Sequence, residues 1–363
     1  MDVPMIDLKA QYLSIKDEID EAIQHTLYRA DFIQGNAVHE LEQNLAAYTG
    51  MQHVIGCANG TDALQLAIMA LQLPKASKII VPAFTYIAPV EVITFLGYEV
   101  VFCDVNTQDF NTSLSHIKAV FCEDVKAIIV VHLFGQPCVD IENIDAFCKS
   151  NNIALIEDNA QSLGAIKNIK RNSIVTTSFF PTKNLGAYGD AGAVFCNDEA
   201  LAKKIRMLAS HGQSKKYIHD AVGVNSRLDT LQAAILNVKL KYIDTYNHKR
   251  KVNAHYYQQQ LSNIKAIELP LITADHIFHQ YTIIIKNGKR DELQIFLAQK
   301  GIVSTINYPI PAYQQQAYLQ DIELKNTGIL CASVLSIPVF PELSDTQLSY
   351  ICEMIKLFFA THE

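Results

Sequence analysis

Ala127-Ile-Ile-Val-Val-His-Leu133 is a run of strand length with almost no polar face. It is followed by the amphipathic stretch Ile141-Glu-Asn-Ile-Asp-Ala-Phe-Cys-Lys149 and by a second apolar run, Ile153-Ala-Leu-Ile156. A strand that is apolar on both sides must be covered on both sides, and an intervening helix returns the chain to start a parallel neighbour. The same alternation extends outward. Strands are expected at 53–57, 78–82 and 100–104, with helices at 61–73 and 88–96. The class predicted is α/β, a mostly parallel central sheet with helices on both faces. Residues that end such strands gather along one edge, where sheets of this kind bind ligands.

The pattern changes after about residue 200. Long helical stretches are expected at 199–210 and 228–261, then a strand at 281–285 and a helix over 290–301 that ends at a glycine. A strand at 302–306, a loop at Tyr308-Pro-Ile-Pro311 and a closing helix at 345–359 complete the chain. This divides it into a large domain, 1–244, and a smaller α+β domain, 245–363.

With 363 residues, 49% hydrophobic and 18% charged, the chain has the composition of a well-packed enzyme rather than a disordered segment. A net charge of −7 without a long basic run speaks against nucleic acid and membrane surfaces as partners. The start lacks the pattern of a signal peptide, no window is apolar enough to span a bilayer, and the eight scattered cysteines form no C-x-x-C. A reduced cytoplasmic protein without a metal site is the expectation.

Four strand-end motifs could carry chemistry. Lys183 lies in Ser178-Phe-Phe-Pro-Thr-Lys-Asn-Leu-Gly-Ala-Tyr-Gly-Asp-Ala-Gly192, on a turn between an apolar run and a glycine-bearing loop. A desolvated amine there could act as a Schiff-base nucleophile, although most lysines are simply solvated. Gly60 and Thr61, in Ala58-Asn-Gly-Thr-Asp62, would open a helix N-terminus suited to an anion, or Thr61 would serve as an ordinary N-cap. Tyr86 could stack on a flat ligand or pack in the core. Glu157 and Asp158 end a strand and must point to opposite faces, so only one can share a site with Lys183. Together these are the parts of a pyridoxal phosphate site: an amine for the aldehyde, a carboxylate for the ring nitrogen, an aromatic for the ring and a cradle for the phosphate.

Over nearly its whole length the chain resembles the DegT/DnrJ/EryC1/StrS family of sugar-nucleotide aminotransferases of fold type I. The resemblance is carried by Cys57-Ala-Asn-Gly-Thr-Asp-Ala-Leu64, Val131-His-Leu-Phe-Gly-Gln136, Glu157-Asp-Asn-Ala-Gln161, Ser178-Phe-Phe-Pro-Thr-Lys183, His211-Gly-Gln213, Asn225-Ser-Arg-Leu-Asp229 and Tyr308-Pro-Ile-Pro311. It implies that Lys183 carries pyridoxal 5'-phosphate, that Asp158 holds the ring nitrogen protonated, and that Gln161 faces the ring hydroxyl with Tyr86 against the ring. Gly60, Thr61 and Ser178 would bind the phosphate, joined by Asn225 of a second subunit in a homodimer. Arg227, Tyr217, His219, Tyr308 and Tyr313 would meet the substrate.

The reaction implied is amino transfer from L-glutamate, leaving 2-oxoglutarate and pyridoxamine phosphate, and then to a nucleotide-linked keto sugar. Within the family the resemblance is nearest to enzymes acting on UDP-2-acetamido-2-deoxy-3-oxo-D-glucuronate in bacterial surface polysaccharide biosynthesis. A dTDP-3-oxo-6-deoxyhexose is the alternative. Two departures fall near the site: Ala312-Tyr313 stands where many relatives carry Leu-His, and Ala191 where they often carry glycine. A dehydratase of this family would have histidine at position 183, and a non-catalytic regulator would not need the intact set.

Overall fold

A computed structural model describes residues 1–361. Three helices, α1 (Leu8–Ser14), α2 (Lys16–Arg29) and α3 (Asn36–Thr49), precede the sheet. Then come β1 (His53–Cys57), α4 (Gly60–Leu71), β2 (Lys78–Pro82), α5 (Ala88–Phe95), β3 (Glu99–Cys103), α6 (Leu114–Val120), β4 (Val125–Val131), α7 (Ile141–Ser150), β5 (Ala154–Asp158), β6 (Ile174–Ser178) and β7 (Gly192–Cys196). The seven strands form one sheet in the order β1-β7-β6-β5-β4-β2-β3. Only β7 runs against the rest, pairing antiparallel with both β1 and β6.

Period-two alternation explains why this sheet needs two helical layers. On β2 and β4, Ile79, Val81, Ala127 and Ile129 pack toward α4 and α5, while Ile80, Ile128 and Val130 pack toward α6 and α7. On β7, Val194 and Cys196 join the first layer, whereas Ala193 and Phe195 meet Val38, Leu41 and Leu45 of α3. Every one of these side chains is buried. The mostly parallel, doubly covered α/β sheet is therefore present.

Beyond it lie α8 (Glu199–Leu208), the hairpin β8 (Gln213–Lys215) and β9 (Ile218–His219), α9 (Thr230–Leu240) and α10 (Ile243–Leu261). The rest comprises β10 (Ile267–Glu268), β11 (Tyr281–Ile285), α11 (Arg290–Gln299), α12 (Lys325–Ser333), β12 (Val334–Ile337) and α13 (Asp345–Thr361). An antiparallel sheet, β10-β11-β12, packs Ile283, Ile285, Leu335 and Ile337 against α10, α11 and α13. Ile284 and Val334 point the other way, onto Phe84 and Phe134 at the strand ends of the large sheet. That second contact builds a wall over the edge where the chemistry-bearing residues emerge.

Two elements differ from expectation. The stretch 228–261 is two helices, broken at Lys241 and Tyr242. The segment 302–306 is extended but forms no strand, because its partners change along its length. Ile302 bridges Val3 in parallel, whereas Thr305 bridges Ser336 antiparallel. Among the described residues no helix is long and apolar enough to cross a membrane, and no group of three or more His, Cys, Asp or Glu is placed to hold a metal.

Candidate active site

A cavity of about 630 Å³ opens at the strand ends and is lined by Gly60, Thr61, Tyr86, Asp158, Gln161, Ser178, Lys183 and Tyr308. Eight of the residues singled out in the sequence thus share one space, although they come from four strand ends and a distant loop.

Asp158 closes β5, and its Oδ1 accepts the Ala160 N–H at 3.0 Å. Burial pushes its pKa up, against the pull of that N–H and of nearby Lys183 and His132. Glu157, one residue earlier, faces away into a buried polar cluster. It accepts Nε and Nη2 of Arg171 at 3.1 and 3.0 Å, the Ser173 hydroxyl, and Nε2–H of His132 at 2.9 Å. Lys183 sits on the turn after β6, its N–H donating to Phe180 O at 2.8 Å. Burial lowers its pKa, opposed by the Asp158 carboxylate. A deep carboxyl group whose pKa is pushed up and a half-buried amine whose pKa is pushed down would each be relieved by a bound partner: a cationic ring nitrogen for the carboxylate, a carbonyl for the amine.

The N-terminus of α4, the candidate anion cradle, depends on a close approach. Asn59, not Thr61, caps α4, its side chain accepting the Asp62 N–H at 2.8 Å. Thr61 is left facing the cavity. A Cβ on Gly60 would lie 2.6 Å from Cβ of Ser178, so glycine is what brings the helix N-terminus against the end of β6. Thr85 Oγ1 is buried without a partner and lines the cavity, and the Tyr86 ring is 58% exposed. Gln161 has a settled orientation, since its Oε1 accepts Phe134 N–H at 2.6 Å and its Nε2 donates to the Tyr308 hydroxyl at 3.3 Å.

The remaining candidates lie elsewhere. Asn225 is exposed and bridges Ser210, Arg227 is half-buried nearby, and Tyr217 and His219 project from the β8–β9 hairpin; none lines this chain's cavity. Tyr313 is corrected as a substrate contact. It is 1% exposed, its ring packs edge-on to Phe102, and its hydroxyl accepts Leu324 N–H at 3.3 Å, so it belongs to the core. Asp190, His279, Gln280 and Asn307 line the cavity without having been singled out. The sequence signal for the middle pair was faint: a polar His-Gln step just before an apolar strand.

A sheet edge carrying an amine, a carboxylate and an anion cradle in one cavity is that of a pyridoxal phosphate-dependent aminotransferase, and the comparisons agree. Residues 13–356 match the DegT/DnrJ/EryC1/StrS aminotransferase family. The UDP-2-acetamido-2-deoxy-3-oxo-D-glucuronate aminotransferase of Pseudomonas aeruginosa is 41% identical over 96% of this chain and 98% of its own. A pleiotropic regulatory protein of Geobacillus stearothermophilus is 39% identical over 99% of both chains. The crystal structure of S. venezuelae DesV in complex with a ketimine intermediate shares the fold with a TM-score of 0.94, at 31% identity over 99% of this chain and 98% of that one. Transaminases named for dTDP-linked 3-amino sugars also match. The chain belongs to the DegT/DnrJ/EryC1/StrS family and is a sugar aminotransferase.

Proposed function

We propose that the chain transfers an amino group from L-glutamate to the 3-keto carbon of a nucleotide-linked sugar, with UDP-2-acetamido-2-deoxy-3-oxo-D-glucuronate as first choice. The observation that carries the reading is the convergence of Lys183, Asp158 and the Gly60–Thr61 helix end on one cavity. Pyridoxal phosphate fits these residues. Lys183 would hold its aldehyde carbon and Asp158 its ring nitrogen, with Gln161 at the ring hydroxyl, Tyr86 against the ring, and Thr61, Ser178 and the α4 N–H groups at the phosphate. The bound cofactor supplies an electron sink for the carbon that loses its proton. Lys183, released when glutamate or the amino sugar takes its place, moves that proton as base and then as acid, a task eased by its lowered pKa.

Substrate charge supports a shared site. Among the described residues Lys183 is the one Lys or Arg lining the cavity, and Asp62, Asp158 and Asp190 are lining acids. A nucleotide diphosphate needs further cations. Arg227, Lys215 and Lys216 are close in sequence to Asn225 and stand outside this chain's own cavity. We therefore assign Arg227, Tyr217 and His219 to the cavity of a second copy in a homodimer, with Asn225 reaching that copy's phosphate. The division at 244/245 is part of the same reading. The match to the P. aeruginosa enzyme favours the UDP-uronate, and the dTDP-sugar transaminases among the relatives favour a dTDP-3-oxo-6-deoxyhexose. Offering both keto sugars side by side with glutamate decides; a clear preference for the dTDP sugar overturns the first choice.

A further inference from the structure

His279 lines the same cavity as Lys183, yet none of the functions above uses it. Its tautomer follows from a chain of hydrogen bonds with one unambiguous end. The Leu163 carbonyl can only accept, so Asn247 Nδ2 donates to it at 3.3 Å, leaving Asn247 Oδ1 as an acceptor. Asn184 Nδ2 donates to that oxygen at 2.7 Å, which leaves Asn184 Oδ1 as an acceptor in turn. His279 Nδ1, 2.8 Å away, must therefore carry the proton. In a neutral imidazole Nε2 is then bare. The ring is buried, and the charged groups bearing on it are Lys183 from its turn and Arg250 from α10; burial first, then these two cations, hold its pKa well below the ordinary value. Asp158 bears on Lys183, and Glu342 on Arg250.

The imidazole is also fixed in place. Ile277 N–H donates to Gly135 O at 3.0 Å and Gln280 N–H to Phe134 O at 3.2 Å, clamping both sides of His279 onto the end of the large sheet. Gly135 has a φ of +92°, and a Cβ there would lie 2.7 Å from the backbone nitrogen of His279, so only glycine permits the approach. Arg250 Nη1 donates to the His279 carbonyl at 3.3 Å. Among the described residues Nε2 makes no hydrogen bond to protein, and Asn184, which Nδ1 grips, directly follows Lys183.

We propose that His279 is a positioning residue for Lys183: tethered through Nδ1–H to Asn184, it presents a bare Nε2 that accepts one hydrogen of the Lys183 amine when pyridoxamine phosphate is bound, and so sets where the amine points. The proposal rests on the reading of Lys183 as the cofactor-carrying lysine. So weak a base can orient the amine without taking the proton that Lys183 must move.

The test uses protein loaded with pyridoxamine phosphate, in which Lys183 is free. The pH midpoint of Lys183 acylation by acetic anhydride is followed by mass spectrometry. His279→Asn retains an N–H near Nδ1 and has nothing at the Nε2 position; His279→Gln restores an acceptor at Nε2. The midpoint should fall by about one pH unit in the Asn variant, because the ammonium loses an acceptor, and return toward wild type in the Gln variant. Equal midpoints in all three proteins, or equal shifts in both variants, would overturn the proposal. Should the variants not fold, ¹⁵N NMR of the wild-type histidines decides: Nδ1–H with bare Nε2 at neutral pH is expected, and an Nε2–H tautomer or an imidazolium contradicts it. Pyridoxal phosphate that borohydride fixes to another lysine would sink the assignment of Lys183 while leaving the tautomer result standing.

Discussion

Glu157 and Asp158 are consecutive on β5, yet one is locked into a buried ion pair with Arg171 and the other opens onto the cavity. Strand alternation separates them. Burial would raise the Glu157 pKa, but His132 and Arg171 outweigh it and hold it at about 2, below its ordinary 4.5. A carboxylate lowered in the fold stabilises above its unfolded pKa and loses that contribution as pH falls through the folded one. Thermal melts should therefore drop as pH falls from about 4.5 toward about 2. Arg171→Leu strands a buried carboxylate and should destabilise by about 3–5 kcal/mol at pH 7; a melting temperature within a degree of wild type would contradict the assignment.

Asp158 carries the opposite sign. Its pKa is raised by burial, so in cofactor-free protein its contribution is fully present below the ordinary value of 3.8 and lost as pH rises through the folded value. Asp158→Asn should melt no lower than wild type without cofactor at pH 7. It should gain far less on adding pyridoxal phosphate and lose roughly two to three orders of magnitude in turnover. Differential scanning fluorimetry with and without cofactor separates the two effects.

Gly60→Ala forces a methyl group against Ser178. Overpacking of this kind costs about 1–3 kcal/mol, and here it widens the anion cradle. Absorbance titration should show pyridoxal phosphate binding at least about tenfold weaker, a larger loss than for Ser178→Ala, which removes one hydroxyl. Equal affinity in wild type and Gly60→Ala would remove this helix end from the phosphate site.

Arg227→Ala and the Lys215→Ala/Lys216→Ala pair should raise KM for the nucleotide sugar by about tenfold or more and leave the glutamate half-reaction unchanged. A mixture of Arg227→Ala with Lys183→Ala subunits should recover part of the activity if sites are shared, because one site in the mixed dimer keeps both residues. No recovery on subunit exchange would place Arg227 with its own chain's cavity.

Much of this was legible in the residue order because parallel strands leave a clear trace. Ile79, Ile80, Ile128 and Ile129 alternate between two apolar layers, so their strands read as unbroken apolar runs. Motifs at the ends of those strands, Asp158 and Ser178 among them, then had to meet on one edge. The α3 helix, whose Val38, Leu41 and Leu45 recur at helical spacing, precedes the first strand and so lies outside the strand–helix alternation that marks the rest of this domain. His279 and Gln280 reach the cavity only because a second sheet folds back over the first, and such a long-range contact leaves little local pattern. Tyr313 misled for the opposite reason. The family resemblance set it beside the substrate, whereas the short turn after Pro311 drives its ring into the core against Phe102.

The central claim is that Lys183 carries the cofactor and moves the proton. Wild-type protein loaded with pyridoxal phosphate, reduced with borohydride and digested, should carry the cofactor mass on the peptide containing Lys183; loaded protein treated first with glutamate should carry none. Cofactor mass on a different lysine, or an unmodified Lys183 peptide from fully loaded protein, would contradict the account.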